Sequence, residues 1–255
     1  MKANEGMQMR NIKDYTEKYA GEPFEATMVE IRKKKVMAQC NKYSHENILE
    51  IGCGMNPYFL DYKDYRNMVI VEPGGLFAEN ARKLGKEKGK NISVISGFLE
   101  EQVEKVKKLN IGFDFIILSS VLHELDDPGK MLKAVYELCG DNTVVHVNVP
   151  NANSVHRLIA IEAGLISDVH EQSSQMQKMQ RRRTYDMDML KKEMDEAGFK
   201  VVESGSYFVK PFTHFQMQQC LEQKIFDDRV LLGLENLVKY MPEYGAGIYV
   251  DVRKS

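Results

Sequence analysis

The residues best suited to bind a ligand lie in a glycine-rich turn and at the end of the next apolar run. Residues 48–57 read Ile-Leu-Glu-Ile-Gly-Cys-Gly-Met-Asn-Pro, so an apolar segment leads into Glu50, Gly52 and Gly54. Glycines at such a turn let a ligand approach the backbone, because no β-carbon holds it away. Glu72 closes the next apolar run, about 20 residues downstream, where a carboxylate can bind both ribose hydroxyls. This spacing predicts a site for an adenosine-containing ligand.

The residue at position 57 separates two kinds of adenosine ligand. A turn that binds a dinucleotide needs a third glycine there, and this chain has Pro57. Proline suits the first residue of a helix and does not suit a cradle for pyrophosphate. The turn therefore favours an adenosine ligand without a pyrophosphate, and S-adenosylmethionine fits that description. The alternatives are an ordinary tight turn between a strand and a helix, or a damaged dinucleotide site.

This turn resembles motif I of the class I S-adenosylmethionine-dependent methyltransferases, and a second segment resembles their fourth-strand motif. Residues 113–128 read Phe-Asp-Phe-Ile-Ile-Leu-Ser-Ser-Val-Leu-His-Glu-Leu-Asp-Asp-Pro. The resemblance places Ser119, Ser120 and His123 near the sulfonium of the cofactor and near the acceptor. It implies His123 as the catalytic residue, and a histidine that caps a helix or lies in the core is the alternative. Metal-dependent members need carboxylates at this strand end, so the serines argue against a metal.

The resemblance also implies cofactor contacts from neighbouring elements. After the third predicted strand, Gly97, Phe98 and Leu99 would hold the adenine, with an ordinary apolar helix start as the alternative. Arg32 would pair with the methionine carboxylate, since a guanidinium binds a carboxylate in a planar fork. A solvated helix face is the alternative for Arg32. The full predicted cofactor set is Tyr19, Arg32, Glu50, Gly52, Cys53, Gly54, Glu72, Pro73, Gly97, Phe98, Leu99, Ser119 and Ser120.

The second half of the chain resembles a subgroup of this family often associated with sugar, polysaccharide and natural-product pathways. The resemblance rests on five short segments, which are residues 146–157, 164–166, 182–186, 196–199 and 208–211. That subgroup usually has Gly-His before its Arg-Arg-x-Tyr element, whereas this chain has Gln180-Arg181. If that histidine acts in the relatives, its role is either absent here or taken by another residue. The predicted acceptor contacts are Tyr15, His123, Asn148, Asn151, His156, Tyr185 and His214.

The elements that must position these residues alternate between strands and helices, as in a parallel sheet covered by helices on both faces. Strands are predicted at 47–52, 67–72, 91–96, 113–118, 143–149, 199–208 and 246–253. Helices are predicted at 57–64, 75–88, 98–109, 128–139, 186–197 and 214–240. The resemblance implies an α/β fold, with a Rossmann-like seven-stranded methyltransferase sheet whose last strand is antiparallel. The predicted organisation is an N-terminal helical cap at 1–45 and a methyltransferase domain at 46–255, with a helical lid insertion at about 151–184.

Composition argues against several other classes of protein. The 255 residues carry a net charge of −2, so no overall attraction to nucleic acid is expected, and 43% hydrophobic residues suffice for a sizeable core. The cysteines are scattered without a Cys-x-x-Cys pair, as in a reducing compartment. No apolar run approaches membrane-spanning length. We therefore expect a cytoplasmic protein, a monomer or homodimer, without nucleic-acid or membrane partners.

The predicted function is S-adenosylmethionine-dependent methyl transfer to an oxygen or nitrogen atom of a small polar acceptor. A nucleotide-linked sugar or a surface-polysaccharide precursor is the suggested acceptor class. A hydroxyl acceptor needs a general base, for which His123 is the first choice and His156 or His214 the reserve. Three alternatives stay open: a catalytically silent S-adenosylmethionine-binding protein, a nucleotide-cofactor oxidoreductase, against which Pro57 counts, and a nucleic-acid methyltransferase, which would need a basic, aromatic-lined face.

Overall fold

The computed structural model of the chain describes residues 23–172 and 182–255. Tyr15 and Tyr19, with the first part of the predicted N-terminal cap, lie outside the described residues, and so does a part of the predicted lid. In the two described ranges, no helix is both long enough and apolar enough to cross a membrane.

A seven-stranded sheet forms the centre of the fold, with the strand order β3-β2-β1-β4-β5-β7-β6. Its strands are β1 (Asn47–Ile51), β2 (Asn67–Glu72), β3 (Ile92–Ser96), β4 (Phe113–Ser119), β5 (Cys139–Pro150), β6 (Phe199–Tyr207) and β7 (Gly247–Lys254). Neighbouring strands among β1 to β5 pair in parallel, and β7 pairs antiparallel with both β5 and β6. The predicted sheet and its antiparallel last strand are confirmed. Because β6 and β5 both oppose β7, they run in the same direction, and the carboxyl ends of β1 to β6 meet at one edge.

Helices cover both faces of this sheet. They are α1 (Glu25–Cys40), α2 (Gly75–Glu87), α3 (Leu99–Lys107), α4 (Pro128–Leu138), α5 (Val155–Glu162), α6 (Met187–Glu196), α7 (His214–Glu222) and α8 (Asp228–Asn236). Local hydrogen bonds fix several helix starts. The Asp127 side chain accepts the backbone N–H of Lys130 at the start of α4, and Thr213 and Gln216 form a capping box at the start of α7. These side chains satisfy N–H groups that a helix leaves unpaired at its first turn.

The helix predicted at 57–64 is wrong in its length. The structure has only a 3₁₀ turn there, Tyr58–Leu60, and Pro57 is extended, with a ψ of 145°. Phe59 and Tyr62 are both buried in the core cluster between the sheet and helices α1 and α2. Burial of these two rings fixes the short turn, and the chain then leads directly into β2.

The single long helix predicted at 214–240 is also wrong. The structure has α7, α8 and a 3₁₀ turn, Leu237–Lys239. Lys224, just after α7, has a left-handed φ of +58°, a conformation that ends a helix. The Asp227 side chain then accepts backbone N–H groups of the next turn and starts α8. The apolar spacing continues across this break and does not reveal it.

Two layers of the core lie on opposite faces of the sheet, and a third buried cluster joins α1 and α7 to β6 and β7. Leu49 and Ile51 of β1 belong to a buried cluster with α3, α4 and α6. Ile48 belongs to a second cluster, with α1 and α2, on the other face. Side chains alternate between faces along a strand, so Glu50 points to the same side as Ile48. The filled layers leave the carboxyl edge of the sheet, with its turns, as the place where a cavity forms.

Candidate functional site

A cavity of about 530 Å³ opens at the carboxyl edge of the sheet. Its volume is within the usual range for small-molecule sites, and its position is where ligands bind in open α/β sheets. The predicted site residues that line it are Arg32, Gly52, Cys53, Gly54, Glu72, Pro73, Phe98, Leu99, Ser119, Ser120, His123, Asn151, His156 and His214. The described predicted residues that do not line it are Glu50, Gly97, Asn148 and Tyr185.

The turn after β1 holds two glycines in the left-handed region. Gly52 has a φ of +74° and Gly54 a φ of +55°. A β-carbon on Gly52 would lie 2.8 Å from Cγ2 of Val121, so packing as well as conformation excludes a side chain there. A β-carbon on Gly54 would meet nothing within 4 Å, and Gly54 lines the cavity. This open space allows a ligand to approach the backbone of Gly54 closely.

Glu72 ends β2 with its carboxylate against the glycine turn. Its Oε2 accepts the backbone N–H of Gly54 at 3.1 Å, and its Oε1 accepts that of Gly74 at 2.7 Å. Glu72 is 4% exposed. Burial raises its pKa, and both backbone hydrogen bonds act in the opposite direction. The carboxylate is therefore fixed at the cavity wall, where a ligand hydroxyl can approach it.

Glu50 lies behind the turn, outside the cavity wall. Its Oε2 accepts the backbone N–H of Tyr58 at 3.1 Å. Burial raises the pKa of Glu50 to about 8, and that hydrogen bond and Lys33 oppose the rise. Glu50 thus ties the end of the glycine turn to β1. The neighbouring Cys53 lines the cavity, but burial raises the pKa of its thiol, so it is not an activated nucleophile.

The turn after β3 presents an apolar edge to the cavity. Phe98 and Leu99 line it, and Leu99 is buried at the start of α3. Gly97 shapes this turn: it has a φ of +128°, a β-carbon there would lie 2.8 Å from Nε2 of Gln102, and its N–H donates to the Glu72 carbonyl at 3.0 Å. We call one group of wall residues the cofactor side: Gly52, Gly54, Glu72, Phe98 and Leu99.

Helix α1 brings two cations to the cavity. Nη2 of Arg32 bonds to Oε1 of Glu25 at 3.3 Å, and both residues line the cavity. Lys33 also lines it, is buried and forms an ion pair with Asp61. Its ammonium lies 5.9 Å from the centre of the Tyr58 ring. Arg32 therefore faces the cavity while paired with a carboxylate of its own helix.

His123 lies in a 3₁₀ turn, Leu122–Glu124, just after β4. It lines the cavity and is 2% exposed. Its backbone carbonyl accepts the N–H groups of Arg182 and Arg183 at 2.9 and 3.1 Å, which ties this turn to the chain before α6. Its Nε2 lies 3.9 Å from Oε1 of Glu124. The site thus has a buried imidazole in its wall, close to the end of β4.

Asn148 lies beneath the wall in a buried hydrogen-bond network. Tyr58 Oη donates to Oγ of Ser119 at 3.1 Å, and Asn148 Nδ2 donates to the same oxygen at 2.9 Å. Asn148 Nδ2 lies 3.2 Å from Nε2 of His146, whose Nδ1 lies 2.6 Å from Oδ1 of Asp251. The network runs from Ser119 in the wall across β4, β5 and β7. Asn148 therefore fixes a wall residue and does not itself face the cavity.

Backbone groups hold two other predicted polar residues in the wall. Ser120 has a left-handed φ of +57°, and its N–H donates to the carbonyl of Asn148 at 2.9 Å. A non-glycine residue in this region is strained, and such strain is common at functional sites. Asn151 Nδ2 donates to the carbonyls of Glu243 and Gly245, both at 2.8 Å. Its amide thereby joins the end of β5 to the chain before β7.

Tyr185 lies in the core and not at the cavity. Its hydroxyl donates to Oε2 of Glu193 on α6 at 2.5 Å, and its ring belongs to the cluster that α4 and α6 share. Its carbonyl accepts the N–H of Ala152 at 2.7 Å, and it forms an isolated β-bridge with Asn151. Tyr185 anchors the chain where it returns from the predicted lid. Its position gives no support to the predicted contact with the acceptor.

A second group of wall residues comes from the second half of the chain, and we call it the cationic wall: His156, Arg157, Lys210 and His214. His156 Nδ1 lies 3.0 Å from Oγ of Ser154. Burial lowers the pKa of His156 well below its usual value, and the positive charges of Lys210, His214 and Arg157 lower it further. The imidazole is therefore neutral near pH 7 and can exchange hydrogen bonds with a ligand.

Several wall residues were not predicted, namely Lys33, Tyr58, Arg157, Tyr207, Lys210 and Thr213. Lys210 and Tyr207 had a usable signal, because they lie at the carboxyl end of β6 and that end belongs to the ligand edge. Lys33 had no such signal in the sequence, since its approach to the cavity depends on how α1 packs against the glycine turn. Among the described residues, no group of three or more His, Cys, Asp or Glu is placed to hold a metal ion.

A family model described as a methyltransferase domain matches residues 15–204 of the chain. The matched region includes the glycine turn, Glu72, His123 and the strands β1 to β5. No curated protein sequence matches the chain.

Solved structures share the fold at low sequence identity. A possible histamine N-methyltransferase from Thermotoga maritima has a TM-score of 0.59 at 16% identity, over 96% of this chain and 97% of that chain. The plantazolicin methyltransferase BamL, in complex with a triazolic desmethylPZN analog and SAH, has a TM-score of 0.58 at 15% identity, over 95% and 90%. The [4+2]-cyclase SpnF has a TM-score of 0.56 at 14% identity, over 87% and 79%. At these identities the likeness shows the fold alone.

Proposed function

The chain belongs to this methyltransferase family, and on that premise we propose that it transfers the methyl group of S-adenosylmethionine to an oxygen or nitrogen atom of a small polar acceptor. The observation that carries the proposal is the pair formed by Gly54 and Glu72. Gly54 is left-handed with open space on its cavity side, and Glu72 holds it through a hydrogen bond of 3.1 Å. A carboxylate at this place can bind ribose hydroxyls beside a backbone that a ligand can approach.

The cofactor side fits S-adenosylmethionine better than a dinucleotide. Phe98 and Leu99 offer an apolar surface for adenine, and Glu72 offers a carboxylate for the ribose hydroxyls. Arg32 is the proposed contact for the methionine carboxylate. Pro57 stands where a dinucleotide site needs its third glycine, so a nucleotide-cofactor oxidoreductase is disfavoured.

The residues around the cofactor side then have a limited chemical task. When bound, S-adenosylmethionine supplies a methyl group on a sulfonium, which is already an activated leaving group. The protein has to align the acceptor and exclude water, and for a hydroxyl it has to accept a proton. His123 is the proposed base because it is buried in the wall after β4, with His156 and His214 in reserve. An amine acceptor that arrives unprotonated needs no base.

We propose that residues 151–184 cover the acceptor, because this insertion follows β5 at the ligand edge. Its described residues in the cavity wall are Asn151, His156, Arg157, Ala160, Leu165, Ile166, Arg183 and Thr184. Hydrogen exchange of the α5 amides should slow when S-adenosylhomocysteine and acceptor are added together. Unchanged exchange in a preparation that turns over would contradict the lid.

The finer proposal is that the acceptor is a nucleotide-linked sugar or a surface-polysaccharide precursor, which the resemblance of the second half of the chain supports. A methyl-transfer screen over nucleotide-linked sugars, other phosphorylated hydroxyl compounds and small amines tests it by the mass of the products. Transfer to a sugar hydroxyl is the expected result, and transfer to amines alone would contradict this acceptor class. If S-adenosylmethionine binds but no acceptor in any class gains a methyl group, a catalytically silent binding protein becomes the better account. The cyclase among the solved structures gives a reason to analyse products by mass rather than cofactor consumption alone.

A further inference from the structure

The cationic wall gathers basic side chains from separate elements. His156 and Arg157 lie on α5, Lys210 follows β6, and His214 begins α7. None of these residues belongs to the predicted cofactor set. The wall therefore needs an explanation of its own, which the cofactor does not provide.

Lys210 is the most informative member of the cationic wall. It is 3% exposed, and lysines are rarely buried to this extent. Because β6 runs parallel to β5, Lys210 lies just beyond a strand end at the ligand edge, where a bound anion can approach it.

Arg157 and His156 add hydrogen-bond donors to the same wall. Nε of Arg157 donates to the carbonyl of Val169 at 2.8 Å, and its Nη2 donates to that of Glu171 at 2.6 Å. These carbonyls orient the guanidinium, and the negative charges of Glu171 and Asp168 favour its charged form. The neighbouring cations and burial keep His156 neutral by lowering its pKa, so it can still donate an N–H to a ligand.

Basic side chains outnumber acidic ones among the described residues of the cavity wall. The described Lys and Arg residues that line it are Arg32, Lys33, Arg157, Arg183 and Lys210, and the described Glu residues are Glu25, Glu72 and Glu124. Glu25 bonds to Arg32 and lies 3.9 Å from Nδ1 of His214. Glu72 bonds to the glycine turn, and Glu124 lies beside His123. In the described part of the chain, the wall thus contains more Lys and Arg than acidic side chains. Two of these cations also approach acidic residues outside the wall, Lys33 at Asp61 and Arg183 at Glu193.

We infer that the cationic wall binds an oxyanion group, a phosphate or a carboxylate, carried by the acceptor. This inference rests on the proposed function, because it assigns a chemical group to the acceptor of that reaction. Lys210 and Arg157 supply the charge, and His156 supplies a hydrogen bond. Fixing the oxyanion at this wall leaves the rest of the acceptor to extend toward the cofactor side.

Calorimetry on the wild-type chain saturated with S-adenosylhomocysteine tests the inference directly. Saturation fills the contact proposed for Arg32, so an added anion reports on the rest of the cavity. The titrants are inorganic phosphate, acetate and acetamide, the last being an uncharged analogue of acetate. At least one anion should bind about tenfold or more tightly than acetamide, given the usual worth of a charged hydrogen bond. The tighter of the two anions identifies the oxyanion.

Variants of Lys210 show whether the anion binds at the cationic wall. Lys210→Met should weaken binding of that anion by about tenfold or more, and Lys210→Arg should keep most of it. Lys191→Met is the matched control, since Lys191 is exposed on α6 and does not line the cavity, and it should bind the anion like wild type. Melting temperatures show whether each variant is folded.

Two results would overturn the inference. One is equal binding of acetamide and both anions by the wild-type chain, which needs no variant to fold. The other is anion binding by folded Lys210→Met at the wild-type level. If S-adenosylhomocysteine itself does not bind, the proposed function has failed; if it binds while anions do not, only this inference has failed.

Discussion

The cofactor side and the cationic wall share one cavity but are built in different ways. The cofactor side consists of turns at the ends of strands, and its defining hydrogen bonds join a carboxylate to backbone N–H groups of Gly54 and Gly74. The cationic wall consists of side chains from α5, α7 and the end of β6, and the pKa of one of them, His156, is lowered by burial and by the charges of the other three. One side depends on backbone conformation, and the other depends on side-chain identity.

This difference has a consequence for specificity. A turn that needs positive φ and a buried carboxylate tolerates few substitutions, so its chemistry is tied to one ligand. Charged side chains on helices and after strands can change without altering the backbone of the turn. We therefore expect substitutions on the cofactor side to affect cofactor affinity and substitutions in the cationic wall to affect acceptor affinity.

The largest expected effect belongs to His123. If the acceptor is a hydroxyl, His123→Ala should lower turnover roughly 10²–10⁴-fold with nearly unchanged cofactor affinity, because a positioned base contributes on that scale. For an amine acceptor the loss should be smaller. Methyl-transfer rates and calorimetry on the same preparation measure both quantities.

His45→Ala is the matched control for that variant, because His45 precedes β1, at the opposite edge of the sheet from the cavity, and does not line it. A merely structural His123 would instead lower the melting temperature together with cofactor affinity. Full activity of His123→Ala would discard it as the base and move the search to His156 and His214.

Glu72→Ala should have the next largest effect, on the cofactor side alone. Loss of a charged acceptor for the ribose hydroxyls costs about 1.5–3 kcal/mol, or roughly 10- to 100-fold in affinity for S-adenosylmethionine. Glu79→Ala removes an exposed carboxylate from α2 and should leave the affinity unchanged. Wild-type affinity in Glu72→Ala, measured by calorimetry, would remove the assigned role of this carboxylate.

Gly54 and Gly89 form a matched pair that separates strain from ligand contact. They have φ of +55° and +59°, and a β-carbon on either would meet nothing within 4 Å. Substitution by Ala should therefore destabilise both variants similarly, by about 1–2 kcal/mol. Only Gly54→Ala should weaken cofactor binding, by about 1–3 kcal/mol, because its methyl group enters the cavity. Equal cofactor affinity in the two variants would show that no ligand approaches Gly54.

A different kind of effect, on stability rather than on binding or turnover, is the pH dependence that Glu50 adds. Its pKa is raised to about 8 in the folded protein, against about 4.3 in an unfolded chain. The folded state binds this proton more tightly, so the contribution to stability is full below about pH 4.3 and is lost as the pH rises to about 8. The raised pKa of Glu72 acts in the same direction.

Glu50→Gln keeps an oxygen for the N–H of Tyr58 and removes the titration. Between about pH 5 and 8, the melting temperature of wild type should fall relative to that of Glu50→Gln. Scanning calorimetry across this range measures the difference. Parallel curves would mean that burial does not shift this carboxyl group as described.

Much of the fold was predictable because its signals are local. Short apolar runs between turn residues placed all seven strands, and glycines with a carboxylate at a fixed spacing marked the cofactor side. The break between α7 and α8 was missed, because a left-handed Lys224 leaves no mark in the apolar spacing. Tyr185 looked like an acceptor contact because of its motif, but its ring fills the core beside α6.

The cationic wall was predictable only in part. His156 and His214 were predicted as acceptor contacts. Lys210 and Arg157 lie in segments of the resemblance, 208–211 and 146–157, but were assigned no role. Their approach to one cavity depends on β6 running parallel to β5 and on the placement of α5. Such tertiary relations link residues far apart in the chain, and neither composition nor periodicity predicts them.

The central claim is that the glycine turn and Glu72 form a site for S-adenosylmethionine. Calorimetry of the purified chain with S-adenosylmethionine, S-adenosylhomocysteine and NAD tests this claim most directly. Saturable binding of the first two and no binding of NAD is the predicted result, because Pro57 replaces the glycine that a pyrophosphate needs. Binding of NAD without binding of either S-adenosyl compound would contradict the account.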